Sequence, residues 1–273
     1  MFFEFKGHKV HYEVDGEGKP LIVLNGIMMS TKSWRFLVPS FKEAHIQLIT
    51  VDFFDQGESD NFTEYQYHQD LQADLVKALI DHLQLKQKPV IYGVSYGGEV
   101  SILFAEKYHG VAEKFILCNT GAWTNPWLKD IGDGWNSIGR TRDGDCYYNI
   151  TIPVVYSPQY YDGNQDWMTA RKNLLAPGVF SSPAFLERME RLVHSSETLD
   201  ARDNLKDITE PCLIVTSEYD MLLPRPQQKI LHENIPHNSW ALIPEAGHGF
   251  MYEDTELLIT LMIGWVYSRK ETV

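Results

Sequence analysis

The chain has 273 residues, of which 44% are hydrophobic and 22% charged, a composition typical of a soluble folded protein. The formal net charge of −13 argues against nucleic acid or an anionic membrane surface as a partner, because both attract basic proteins. No apolar stretch approaches the roughly 20 residues that a membrane-spanning helix needs. The N-terminal sequence MFFEFKGHKV also lacks the pattern of a signal peptide.

Three cysteines, Cys118, Cys146 and Cys212, are odd in number and show no close spacing of the kind that binds a metal. Cys118 and Cys212 lie within apolar runs, so we expect buried, reduced thiols. The sequence therefore predicts a cytoplasmic protein without disulfides, metal site or cofactor.

Short apolar runs separated by turns open the chain. Phe2–Phe5 and Val10–Val14 flank a Lys-Gly-His turn and predict an antiparallel hairpin. Pro20–Leu24 and Ile46–Phe53 are continuous apolar runs, which are typical of central strands covered on both faces.

A leucine repeat at positions 71, 75, 79 and 83 follows. Together with a capping-box pattern at Thr63–Gln66, it predicts a helix over residues 64–83. Apolar runs at 90–92 and 112–119 predict two more strands. Strands that alternate with helices in this way predict βαβ units, a mostly parallel sheet and an α/β fold.

Residues 121–204 differ from the rest of the chain, because tryptophans and tyrosines crowd a region without obvious buried strands. Apolar positions between 185 and 193 predict one amphipathic helix. We expect this segment to be an inserted cap, with most of its aromatic residues in its own core. Residues 1–120 and 205–273, where strands resume at 211–215 and 240–243, would then form the main domain.

The sequence Gly93-Val94-Ser95-Tyr96-Gly97 joins a predicted strand to a predicted helix. A G-x-S-x-G turn in that context is typical of a nucleophile elbow, in which the serine lies in a strained turn and glycines let the backbone pass closely. The predicted nucleophile is Ser95.

A base and an acid follow in the expected order. His248 lies between two glycines after the last predicted strand, and histidine can accept the serine proton near neutral pH. Asp220 follows the strand at 211–216, and Glu218 in the same loop is the alternative. The spacing of Asp220 to Pro224 favours Asp220 as the carboxylate that orients the imidazole.

An acyl-transfer reaction also needs two N–H donors for the oxyanion. We expect them to be the backbone N–H groups of Tyr96, which follows the nucleophile, and of Ile27, in the loop after Leu24.

Together, the G-x-S-x-G elbow, the D-x-x-x-x-G-x-S loop at Asp52–Ser59, Asp220 with Pro224, and Gly247-His248-Gly249 resemble the α/β-hydrolase superfamily. The resemblance implies a Ser95–His248–Asp220 triad, an eight-stranded sheet and a helical cap after the sixth strand. Two positions depart from the family pattern. Asn25-Gly26 replaces the usual His-Gly, and Phe54-Asp55 replaces the common Arg-Gly.

Residues 25–34 read N-G-I-M-M-S-T-K-S-W, which is similar to a signature of bacterial hydroxyacyl-transferring members, the rhamnolipid-precursor synthases and hydroxyacyl carrier-protein transacylases. This narrower resemblance implies acyl thioester chemistry. For the substrate-binding side chains we predict Asn25, Met28 and Trp123.

The function that these features predict is hydrolysis of a small-molecule carboxylic ester or acyl thioester through an acyl-serine intermediate. The alternative is an acyltransferase that delivers the same acyl group to an alcohol or thiol. A third class, a cofactor-free lyase, a peroxidase or a ligand-binding protein, uses the same fold without hydrolysis. A haloalkane dehalogenase is disfavoured, because its nucleophile would be an aspartate.

Overall fold

The structure of the protein, a computed structural model, describes residues 1–269. Residues 270–273 of the predicted main domain lie outside the described residues. Within residues 1–269, eight strands form one sheet: β1 (Phe2–Phe5), β2 (His8–Asp15), β3 (Lys19–Leu24), β4 (Ile46–Val51), β5 (Val90–Val94), β6 (Lys114–Cys118), β7 (Cys212–Ser217) and β8 (Asn238–Ile243).

The strand order in the sheet is β1-β2-β4-β3-β5-β6-β7-β8. β2 pairs antiparallel with β1 and β4, and all other neighbours are parallel. The predicted N-terminal hairpin and the mostly parallel, eight-stranded sheet are therefore confirmed. Because the parallel strands run in one direction, the loops that follow β3, β5, β7 and β8 meet at one edge of the sheet.

The helices are α1 (Val38–Glu43), α2 (Asp70–Leu83), α3 (Tyr96–Lys107), α4 (Pro126–Gly139), α5 (Gly144–Thr151), α6 (Pro158–Gly163), α7 (Gln165–Leu174), α8 (Pro183–Ser196), α9 (Arg225–Asn234), α10 (Phe250–Glu253) and α11 (Thr255–Tyr267). Two 3₁₀ helices, Thr31–Leu37 and Arg202–Asp207, and a π-helical turn, Leu175–Val179, complete the elements. None of the helices within residues 1–269 has the length and apolar character needed to cross a bilayer.

Two hydrophobic clusters cover the two faces of the sheet. Along β3, Ile22 and Leu24 pack in the cluster that includes residues of α2, α3 and α9, whereas Leu21 and Val23 pack in the cluster with residues of α1 and α11. This alternation follows from the twofold side-chain period of a strand. The sheet is therefore covered on both faces, as the continuous apolar runs predict.

Helices α4–α8 all lie between β6 and β7, in the segment 121–204. This inserted segment has a third hydrophobic cluster, built of aromatic and aliphatic residues of α5, α7, α8 and the stretches between these helices: Tyr147, Tyr148, Ile152, Tyr156, Met168, Ala176, Phe180 and Leu186. The helix predicted from the apolar positions 185–193 is present as α8.

The helix predicted over residues 64–83 begins later than expected, at Asp70. Tertiary contacts hold the preceding stretch in an irregular conformation. The Tyr67 hydroxyl donates to Asp55, and the Gln69 N–H donates to the Ser195 carbonyl oxygen of α8. The capping-box pattern at Thr63–Gln66 therefore does not start a helix.

Candidate active site

Ser95 lies at the sharp junction between β5 and α3, with φ 53° and ψ −121°. A non-glycine residue rarely adopts this region of backbone space, and such strain is typical of functional residues. Glycine is required on both sides. A Cβ on Gly93 would lie 2.3 Å from the Gly97 carbonyl oxygen, and one on Gly97 would lie 2.3 Å from the Leu24 carbonyl oxygen. The turn therefore holds Ser95 tightly against the end of β3.

His248 and Asp220 meet at the same edge of the sheet, after β8 and β7. The His248 Nδ1–H donates to Asp220 Oδ2 at 2.9 Å, and both side chains are buried. Asp220 Oδ1 accepts from the N–H groups of Leu222 and Leu223 at 2.9 and 2.8 Å, and Oδ2 also accepts from Gln228 Nε2 at 3.2 Å. These bonds fix the carboxylate in the orientation that places the proton on Nδ1, which leaves Nε2 free to act as a base.

Glu218, the alternative acid, does not reach the histidine. Its Oε2 accepts from the Glu245 N–H at 2.9 Å on the protein surface. The structure therefore brings Asp220, and not Glu218, to His248.

Asn119, directly after β6, is a residue of this site that the sequence analysis missed. Its Nδ2 donates to the carbonyl oxygens of Gly247 and His248 at 3.3 and 3.1 Å, and its Oδ1 accepts from the Ser217 N–H. It thereby ties the histidine loop to the ends of β6 and β7. A buried asparagine at a strand end, with φ 44°, is the signal that points to such a role.

The predicted oxyanion donors face the same space as the nucleophile. Ile27, Tyr96 and Ser95 line one cavity, and within residues 1–269 neither the Ile27 nor the Tyr96 N–H donates to a protein acceptor. Gln56 Nε2 donates to the carbonyl oxygens of Gly26 and Ile27 at 3.0 and 3.3 Å, which orients this loop. The arrangement can stabilise negative charge next to Ser95.

The cavity has a volume of about 170 Å³ and extends between the strand ends and the inserted segment. Ser95 and His248 lie in its wall on the core side, and Met28, Trp135 and Tyr156 are among its many apolar and aromatic lining residues. Met28, predicted to bind substrate, is thus one of the residues that line this cavity.

Asn25 and Trp123 do not line this cavity, contrary to the prediction. The Asn25 side chain is buried and donates to the Val51 carbonyl oxygen and to Gln56, while its Oδ1 accepts from Trp34 Nε1. Trp123 stacks against the Arg202 guanidinium, whose carbon lies 3.9 Å from the ring centroid. Both side chains thus support the scaffold around the cavity.

Glu99, one turn into α3, places a buried carboxyl group in the cavity wall. Burial raises the pKa of Glu99 to about 7, although the hydrogen bond from Gln69 and the nearby His248 act in the opposite direction. Gln69 Nε2 donates to Glu99 Oε2 at 2.6 Å. The side chain therefore titrates near neutral pH.

The sequence matches the family model described as alpha/beta hydrolase family over residues 21–260. The chain belongs to the alpha/beta hydrolase family. A solved member, MGS-M2, an alpha/beta hydrolase enzyme from a Medee basin deep-sea metagenome library, is 42% identical. It superposes with a TM-score of 0.96, which covers 100% of this chain and 99% of that one. This likeness confirms the predicted α/β-hydrolase fold.

Other α/β hydrolases are more distant. The uncharacterized hydrolase YugF of Bacillus subtilis is 25% identical over 91% of this chain and 89% of its own length. A proline iminopeptidase of Clostridioides difficile is 24% identical over 98% of each chain. The esterase EaEST of Exiguobacterium antarcticum, 21% identical, superposes with a TM-score of 0.82 over 96% of this chain and 97% of its own, which shows the shared fold alone. The relatives support a hydrolase of this family.

Proposed function

We propose that this α/β hydrolase is a serine hydrolase that cleaves a carboxylic ester or an acyl thioester. The observation that carries the proposal is the 2.9 Å hydrogen bond from His248 Nδ1 to Asp220 Oδ2 at the cavity that Ser95 lines. A serine hydroxyl is a weak nucleophile until a base takes its proton, and an imidazole held by a carboxylate is suited to that task. Asp220, His248 and Ser95 are therefore assigned as the acid, base and nucleophile.

In the first half of the reaction, His248 Nε2 accepts the Ser95 proton while Oγ attacks the substrate carbonyl carbon. The N–H groups of Ile27 and Tyr96 stabilise the oxyanion. The imidazolium then gives its proton to the departing alcohol or thiol, and an acyl-Ser95 ester remains. In the second half, His248 activates a water, which releases the free acid and restores Ser95.

The apolar character of the cavity supports an acyl substrate. Met28, Met29 and Trp135 give its wall a hydrocarbon surface that an acyl chain can contact. The name of one structural neighbour, the esterase EaEST, agrees with this substrate class.

Acyl transfer uses the same acyl-enzyme and is the second candidate. Its support is the loop 25–34, which is similar to that of hydroxyacyl-transferring members. In this structure, however, three residues of that loop have scaffold roles: Trp34 donates to Asn25, and the Thr31 N–H donates to Asp52 Oδ1 at 2.7 Å. These contacts explain the loop sequence without an acyl acceptor, so hydrolysis is the first candidate.

We also propose a cytoplasmic location. Cys118, Cys146 and Cys212 are all free, and two of them are buried in the sheet. Free thiols are typical of proteins in a reducing compartment.

The experiment is a turnover assay with a short p-nitrophenyl ester and a medium-chain 3-hydroxyacyl thioester, with products identified by mass. Free acid from either substrate is the expected result, and Ser95→Ala should abolish it while the near-UV circular dichroism spectrum stays that of the parent. Hydroxyacyl dimers or a transferred acyl group would instead support the transferase. Turnover retained by Ser95→Ala would place the nucleophile elsewhere.

A further inference from the structure

The inserted segment contributes a cation to the cavity that the proposed reaction does not use. Arg171, on α7, lines the cavity, and its guanidinium carbon lies 5.1 Å from the ring centroids of both Trp167 and Tyr252. The two ring centroids lie 6.5 Å from each other, so the rings contact the guanidinium from neighbouring directions, and these cation–π contacts help to position it. Its N–H donors, however, form no ion pair with any carboxylate of residues 1–269, and Nε is buried without a hydrogen-bond partner.

A second unpaired donor lies close to this cation. The Tyr156 hydroxyl is buried without a hydrogen-bond partner among the described residues, and its ring lines the same cavity. Burial raises the pKa of Tyr156, and the nearby Arg171 guanidinium offsets part of that rise. The phenol is therefore neutral near pH 7 and able to donate.

A second arginine of the inserted segment, unlike Arg171, has a carboxylate partner within the protein. Arg191, on α8, donates through Nε and Nη2 to Asp55 Oδ1 at 2.8 and 2.7 Å. Arg171 has no such acceptor within residues 1–269, although a buried donor without a partner, such as its Nε, costs free energy and is rare in native proteins. The cation–π contacts account for the position of the Arg171 guanidinium, but they supply no acceptor for its N–H groups.

We propose that Arg171 and Tyr156 bind a carboxylate carried by the acyl chain of the substrate. The planar guanidinium edge matches a carboxylate in two hydrogen bonds, and the phenol supplies a third. The single positive charge of Arg171 neutralises the single negative charge of a carboxylate. A phosphate dianion would carry a second negative charge that no cation of this pair neutralises. The substrate class is thus a monoester or monothioester of a dicarboxylic acid. The inference rests on the proposed function for the bond that is cleaved, and on Arg171 and Tyr156 for the group that is recognised.

The first test compares two esters of matched length, monoethyl adipate and ethyl hexanoate, by titration of released acid. The parent enzyme should favour the half-ester in kcat/KM. Arg171→Met, which keeps the hydrocarbon stem, should reduce the half-ester to neutral-ester ratio about 10- to 100-fold, and Tyr156→Phe should reduce it about 3- to 10-fold. The control is Arg225→Met. Arg225 also lies over an aromatic ring, 5.3 Å from the Trp240 centroid, but outside the cavity, so its loss should leave the ratio unchanged.

The second test measures binding without turnover, by calorimetric titration of Ser95→Ala protein with monoethyl adipate. Binding that weakens at least tenfold when Arg171→Met is added supports the carboxylate site even if the parent enzyme hydrolyses neither ester. In that case only the proposed reaction fails. Equal rates for both esters with a ratio that Arg171→Met does not change, or equal binding by the single and double variants, would overturn the site. Tyr156→Phe, which is isosteric, decides the same question if Arg171→Met does not fold.

Discussion

The two walls of the cavity differ in whether their polar groups have hydrogen-bond partners within the protein. On the core wall, the carboxylate that holds His248 has a full set of protein partners, because Asp220 accepts four hydrogen bonds. On the wall formed by the inserted segment, Tyr156 and Arg171 carry buried polar atoms that have no partner within residues 1–269. The hydrogen bonds that orient His248 are therefore in place before a substrate arrives, whereas Tyr156 and Arg171 on the other wall have donors with no acceptor among residues 1–269.

This difference suits the core wall to the chemical reaction and the opposite wall to recognition of the substrate. A group that must move protons gains from fixed hydrogen bonds, because reorientation during the reaction would cost free energy. A group that must recognise a ligand needs donors that remain free until the ligand arrives. Changes on the core wall should therefore affect kcat for every substrate, and changes on the opposite wall should affect the choice of substrate.

The largest expected effect is that of Asp220→Asn. The amide cannot hold the Nδ1–H tautomer of His248, so kcat should fall about 10⁴-fold for all substrates, as in related triads. Steady-state kinetics with a neutral ester measure this loss.

The matched control is Glu218→Gln, in the same loop. Because Glu218 bonds to the Glu245 N–H on the surface, its loss should leave kcat within a factor of about two. The opposite order of effects would make Glu218 the catalytic acid.

Glu99 should make stability depend on pH. Its native pKa of about 7 exceeds the value of 4.5 for an unburied carboxyl, so the native state binds more protons than the unfolded state between these values. The free energy of unfolding should therefore decrease as pH rises from about 4.5 to about 7, by up to about 3 kcal/mol. Glu99→Gln, which stays neutral, should remove this decrease, and urea unfolding at pH 5 and pH 8.5 measures it.

The exposed Glu233→Gln on α9 serves as the control and should follow the parent protein at both pH values. If Glu99→Gln also follows the parent protein, the Glu99 carboxyl is not protonated in the native state at neutral pH.

A smaller effect, on stability, is expected for the ion pair that links the core wall to the inserted segment. Asp55 is fully buried and binds both Arg191 and the Tyr67 hydroxyl. Asp55→Ala should lower the free energy of unfolding by about 2 kcal/mol, because it leaves buried donors unpaired. Chemical denaturation measures the change. Asp200→Ala, which breaks the exposed pair with Arg202, should have a much smaller effect, and equal losses would contradict a special role for Asp55.

Local sequence patterns were sufficient to predict which residues meet at the strand ends of the core wall. Ser95 and His248 lie in short motifs at the ends of apolar strands, and β-strand and elbow patterns depend on neighbours in sequence. The spacing to Pro224 favours Asp220 over Glu218 as the acid, and the folded loop brings Asp220 to His248. The sheet, its hairpin and α8 followed from periodicity for the same reason.

The site features that the sequence did not predict depend on contacts between residues far apart in the chain. Asn25 looked like a substrate contact, but its partners Val51 and Gln56 lie more than 25 positions away in the chain. Arg171 lies in a polar stretch of α7 without a motif, and only the folded structure brings it next to Trp167 and Tyr252 in the cavity wall. No local pattern distinguishes such an arginine from a solvated one.

The ion pair between Asp55 and Arg191 has a consequence for protein engineering. A chimaera would replace the inserted segment, residues 121–204, with that of another hydrolase. In this enzyme, Asp55 precedes Gln56, the side chain that orients the Gly26–Ile27 loop. A foreign segment without an arginine at the position of Arg191 would leave the buried Asp55 carboxylate without its ion pair, beside that support. A chimaera should therefore keep this arginine on the incoming helix.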